Sequence, residues 1–128
     1  MKEKKVIYSK KAPEAIGPYS QAIVYDGLVY CSGQIGIFPE NGSFAGNAIK
    51  EQTRQVMKNL GSVLAEAGSD FSKVIKCSIF LSDMSDFGVV NQIYGEYFTD
   101  NPPSRETVAV KTLPKNALVE ISCIAAVG

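Results

Sequence analysis

An α+β sandwich, one helical layer on a mixed sheet, is the fold class this 128-residue chain predicts. Three observations lead there. The spacing of apolar residues switches twice from a period of two to the helical period, so two helices interrupt a series of strands. The strands are too few to close a barrel. Each helix carries its apolar residues on one stripe, so both can cover a single sheet face.

The elements follow in chain order. Residues Val6 to Tyr8 form a short strand, and a loop runs through Pro13 and the turn-prone Gly17-Pro18. SQAIVYDGLVYCSGQI, from Ser20 to Ile35, is a hairpin about Asp26-Gly27, a pair suited to the positive φ angles of a type I′ turn. Ser32-Gly33 is expected to end its second strand, and Pro39, Asn41, Gly42 and Gly46 mark a surface loop. Asn47 is the expected N-cap of a helix whose stripe is Ile49, Val56, Met57, Leu60, Val63, Leu64 and Ala67, with Gly68 as its stop. Val74 to Leu81 is too short and too rich in branched residues for a helix, so it reads as a buried strand. A second helix runs from about Ser85, with Phe87, Val90, Ile93, Tyr94 and Tyr97 on one side, and ends before Asn101-Pro102-Pro103. Two last strands bracket the turn Leu113-Pro114-Lys115-Asn116. The order is β-ββ-α-β-α-ββ, and residues 1–128 read as one domain with enough apolar content, 45%, for one core.

Composition excludes several chemistries. There is no histidine, which removes imidazole bases, Ser-His-Asp triads and histidine-bound zinc. Thirteen basic residues balance thirteen acidic ones, so net charge supplies no attraction to nucleic acid. The N-terminal lysines, Lys2, Lys4, Lys5, Lys10 and Lys11, read as a solvated edge. Cys31, Cys77 and Cys123 are far apart in sequence and odd in number, so they read as small buried side chains in a reducing compartment. No signal peptide or membrane-length apolar stretch is evident, and the chain reads as cytoplasmic.

Two residues stand out from this background. Arg105, one of two arginines, opens the run PSRETVAV, and Glu120 lies inside ALVEISCIAAV. Alternation puts Arg105, Thr107 and Ala109 on one face of the first strand, and Leu118, Glu120, Ser122 and Ile124 on one face of the second. If the two strands pair as a hairpin about Pro114, Val108 and Val110 match Val119, Ile121 and Cys123 beneath the helices. Glu120 then lies opposite Thr107 with Arg105 on the diagonal, where neighbours are about 7 to 8 Å apart. The alternatives are a functional cleft and a plain cross-strand ion pair. Because Leu118 and Ile124 flank Glu120, that face needs a cover, for which a partner subunit is the simplest candidate.

The runs Ala15-Ile16-Gly17-Pro18-Tyr19-Ser20-Gln21-Ala22, Ser32-Gly33-Gln34-Ile35, Phe87 with Asn91, Pro103-Ser104-Arg105, and Leu113-Pro114 leading to Val119-Glu120-Ile121 stand in order from about Pro13 to Val127. Together they resemble the RidA (YjgF-type) reactive intermediate deaminase family. The resemblance implies a chorismate-mutase-like subunit with two helices on one sheet face, a homotrimer with intersubunit sites, and no cofactor. It implies hydrolysis of reactive enamines and imines, such as 2-aminoacrylate and 2-iminobutyrate, to 2-keto acids and ammonia. Carried over by position, Arg105 would clamp the substrate carboxylate and Glu120 would position the attacking water, with Tyr19, Ser32, Gly33, Phe87, Asn91 and Thr107 lining the cleft. Thr107 stands where many relatives have cysteine, which suits a contact made by the backbone. Taken singly, Tyr19 could be a loop anchor, Ser32-Gly33 a turn, Phe87 a core residue and Asn91 a solvated one. An endoribonuclease or translation inhibitor, and a keto-acid-binding regulator without turnover, are the rival functions, and the charge balance argues against nucleic acid.

Overall fold

The computed structural model describes residues 2–128. Its strands are β1 (Lys5–Ile7), β2 (Ala22–Tyr25), β3 (Leu28–Ile35), β4 (Val74–Leu81), β5 (Ser104–Ala109) and β6 (Val119–Ala126), and its helices are α1 (Ile49–Glu66) and α2 (Phe87–Gly95). They form the expected α+β arrangement, one mixed sheet in the order β1-β2-β3-β6-β4-β5 with both helices on one face.

Local chemistry explains most boundaries. Asp26 (φ 53°) and Gly27 (φ 83°) both take the left-handed conformation that the two-residue hairpin turn requires. Gly68 (φ 80°) ends α1 in a Schellman arrangement, its N–H donating to Ala65 O (3.0 Å) and the Ser69 N–H to Leu64 O (2.9 Å). The start of α1 differs from expectation: the N-cap is Ala48, without a side-chain cap, instead of Asn47. Gln52 secures that end, its amide donating to Gly46 O (3.1 Å) and accepting from the Leu118 N–H (2.9 Å). Helix α2 is preceded by a 3-10 turn, Met84–Asp86, in which Asp83 accepts from the Ser85 N–H. Ser32-Gly33 does not end β3: the strand continues to Ile35 through a register shift between Cys31 and Gln34.

The core lies between the helices and the sheet. Val56, Met57, Leu60, Val63 and Leu64 of α1 are fully buried against Val29, Cys77, Ile79, Leu81, Val119 and Ile121. Each such side chain contributes about 1.5–3 kcal/mol through removal from water. The three cysteines, distant in sequence, form one row across β3, β6 and β4, because Cys123 pairs with both Cys31 and Cys77. All three are buried free thiols.

The expected hairpin of the last two strands is absent. Strand β5 pairs with β4 in parallel, and β6 lies between β3 and β4, antiparallel to both. The helix between β4 and β5 lets β5 return parallel to β4, and β6 then takes the other edge of β4, between it and β3, instead of the free edge of β5. The pairing also corrects the faces. Arg105 stands beside Cys77 and Thr107 beside Ile79, on the helix side, whereas Glu120 and Val108 both flank Phe80 on the open side. Val108, expected beneath the helices, is 42% exposed.

Candidate active site

Arg105 and Glu120 therefore occupy opposite faces of one sheet, and each has its own surroundings. The ion-pair alternative falls with the hairpin.

The cationic half is built by β5 and α2. Asn91 Oδ1 accepts from Arg105 Nη1 at 2.7 Å, and the guanidinium carbon stands 5.6 Å from the Phe87 ring centroid. Phe87 and Asn91 are one helical turn apart, so α2 delivers both to the same point. No carboxylate pairs with Arg105 among the described residues, whereas Arg54 is paired with Glu96 and Lys76 with Glu106. The rest of its planar fork is open to an incoming carboxylate. Thr107 follows on the same face, and its Oγ1 is buried without a hydrogen bond among the described residues.

The acid half is built by β6 and the irregular part of β3. Glu120 is half-buried, and burial pushes its carboxyl above the usual glutamate range. Its carboxylate lies over Gly33: a Cβ at that position would fall 2.0 Å from Glu120 Oε2. Glycine thus leaves the Glu120 carboxyl its place, and its φ is not in the left-handed region. Beside Gly33 opens a cavity of about 260 Å3 lined by Pro13, Ile16, Tyr19, Ile35 and Lys115. Tyr19 is exposed there instead of packing as a loop anchor. The Ser32 hydroxyl donates to Ser20 O (2.6 Å) and ties the Tyr19 loop to β3. Gln21, which sequence reasoning passed over, pins the start of that loop by accepting from the Ser9 N–H (2.6 Å) and donating to Pro13 O (2.8 Å). Its place between two turn-rich segments was the only signal. A larger open groove, about 1100 Å3, lies between α1 and the segments around Lys10 and Pro39, and contains none of Arg105, Glu120, Tyr19, Ser32, Gly33, Phe87, Asn91 and Thr107.

Chemically the protomer offers two separate functions: a fixed guanidinium that can bind an acid, and a partly desolvated carboxyl able to exchange a proton. Fold and site together define a small α+β protein equipped to handle carboxylate ligands.

The chain belongs to the RidA (YjgF-type) reactive intermediate deaminase family, and the family model described as Endoribonuclease L-PSP matches residues 9–127. It is 48% identical to the chloroplastic Reactive Intermediate Deaminase A of Arabidopsis thaliana, over 96% of this chain and 66% of that protein. It is 46% identical to the 2-iminobutanoate/2-iminopropanoate deaminase of Mus musculus, over 98% of this chain and 93% of that protein. Among solved structures, a conserved Rid-family protein from Yersinia pestis superposes with a TM-score of 0.93 at 50% identity, covering 98% of this chain and 100% of that one. The E. coli protein TdcF, crystallised with bound serine, gives a TM-score of 0.92 at 33% identity, covering 97% and 99% respectively. No helix among the described residues is long and apolar enough to cross a membrane.

Proposed function

We propose that the chain hydrolyses reactive 2-enamine and 2-imine acids, 2-aminoacrylate and 2-iminobutyrate, to 2-keto acids and ammonia, at sites formed between copies in a homotrimer. The observation that carries this reading is the half-buried Arg105 guanidinium, fixed by Asn91 and lacking any carboxylate of its own among the described residues. Similarity to the 2-iminobutanoate/2-iminopropanoate deaminase of Mus musculus supports the reaction, and the serine bound to TdcF supports a small carboxylate as ligand.

The chemistry runs as follows. 2-Aminoacrylate takes a proton from solvent on its methylene carbon to become the protonated imine. Arg105 pairs with the carboxylate, and Phe87 forms an apolar wall. Water adds to the carbon of the C=N bond while Glu120 accepts a proton from it and passes that proton to nitrogen. The resulting carbinolamine, protonated on nitrogen, gives its hydroxyl proton to Glu120 as its C–N bond breaks; ammonia leaves, Glu120 returns the proton to solvent, and the 2-keto acid is left on Arg105.

One copy cannot do this alone, because its guanidinium and its acid face away from each other. The open sheet face supplies the motive for assembly: Val6, Tyr30 and Val108 are 62%, 43% and 42% exposed, an apolar surface that a second copy would shield. In the trimer, Glu120, Gly33 and Tyr19 of one protomer meet Arg105, Asn91, Phe87 and Thr107 of its neighbour. The three free buried thiols fit a reducing compartment, and we place the activity in the cytoplasm.

The test couples the purified protein to a dehydratase that generates 2-aminoacrylate or 2-iminobutyrate and follows keto-acid formation. Wild type accelerates it. Arg105→Lys lowers kcat/KM by about 10- to 100-fold, the worth of a charged hydrogen bond whose fork geometry lysine lacks. An assembled wild-type protein that leaves the rate at the buffer value would refute the assignment.

A further inference from the structure

Helix α2 does more than cover the sheet. Tyr94 lies on the same stripe as Phe87 and Asn91, one turn beyond Asn91, and its ring centroid is 5.0 Å from the Arg105 guanidinium carbon. Three side chains of one helix thus surround a cation standing on an edge strand. Phe87 is 36% exposed, but Tyr94 is only 5% exposed. Depth matters, because the attraction between a cation and a ring face grows when water is excluded.

The hydroxyl of Tyr94 has a different environment from the ring. It is buried beside the Cys77 thiol and makes no hydrogen bond of acceptable geometry among the described residues. Such a group costs stability, and without a hydrogen bond to Arg105 it does not orient the guanidinium fork. The ring face is the working part.

We infer that Tyr94 is a positioning residue for carboxylate capture, its buried ring holding the Arg105 guanidinium in the orientation the fork needs. This rests on the assignment of Arg105 as the clamp.

The test replaces Tyr94 by phenylalanine and then by phenylalanines bearing progressively more ring fluorine, which drain the negative face while largely keeping the shape. KM and kcat for 2-iminobutyrate are measured beside the melting temperature, with Arg105→Lys as control. Tyr94→Phe should keep KM and raise the melting temperature, since it removes an unpaired hydroxyl. Full fluorination should raise KM about fivefold relative to Phe, stepwise with fluorine number and with kcat unchanged. A purely structural ring would shift melting without that trend. A flat KM across the series overturns the inference, and so does a large KM rise in Tyr94→Phe, which would make the hydroxyl the working group. If Arg105→Lys also leaves KM unchanged, the clamp itself is wrong and both ideas fall; if Arg105→Lys raises KM and fluorine does not, only the role of Tyr94 is lost.

Discussion

Gly33 and Glu120 show how a single missing Cβ shapes the acid half. Alanine at position 33 has no room unless the Glu120 carboxyl moves, since the clash reaches the side-chain carbons as well as Oε2. Gly33→Ala should therefore leave the fold intact by circular dichroism and lower kcat by about 100-fold, the scale expected when a reacting group is displaced by an ångström. The pH dependence follows from the same burial. Desolvation disfavours the charged form, so the Glu120 carboxyl holds its proton to higher pH than an exposed glutamate does. A base must be ionised, so activity should fall on acidification along a limb lying above the usual carboxylate range. In Glu120→Gln the residual rate should lose that limb; a limb that persists would assign it to another group. Both residues proposed for the chemistry stand out in the sequence, Arg105 by its rarity and Glu120 as a carboxylate inside an apolar strand. The hydrogen bond of Ser32 was not legible, because nothing in a dipeptide says that a hydroxyl will turn back to a carbonyl twelve residues earlier.

Helices and turns were readable because their signals are local. The type I′ turn at Asp26-Gly27 and the stop at Gly68 depend on φ angles that neighbouring residues cannot change. Gly68→Ala should cost about 1–2 kcal/mol, the penalty of a Cβ in the left-handed region, measured as a shift in the denaturation midpoint at unchanged slope. Pairing is a different matter. Alternation correctly separated Arg105, Thr107 and Ala109 from Glu106 and Val108, but it cannot say which set faces inward when both contain apolar residues. The turn at Pro114 looked like a hairpin because Lys115 and Asn116 suit one, and both do take positive φ. The helix between β4 and β5 was a readable clue to their parallel pairing, but β5 keeps a free edge, and that β6 takes the place between β3 and β4 instead is a long-range outcome no local signal carries.

At the scale of the molecule, the separation of Arg105 from Glu120 becomes a prediction about mixing. Arg105→Lys and Glu120→Gln proteins, each impaired on its own, should regain activity above the mean of the two when unfolded and refolded together, because some interfaces then join an intact arginine to an intact glutamate. Random assortment gives about a quarter of the wild-type sites. No recovery in mixed oligomers would place both groups of a working site in one copy. Mass measurement at decreasing concentration should accompany it, since a lone protomer leaves Val6, Tyr30 and Val108 in water.

The sheet order has a consequence for how the chain comes to be folded. Strand β6, the last in the chain order, lies inside the sheet and, among the described residues, is the one strand that pairs the β1-β2-β3 half with the β4-β5 half. A nascent chain still short of residue 119 holds two unsealed halves whose inner edges have no partners. Closure of the sheet therefore waits on β6, and a chain interrupted before it leaves two open sheet edges prone to wrong pairing.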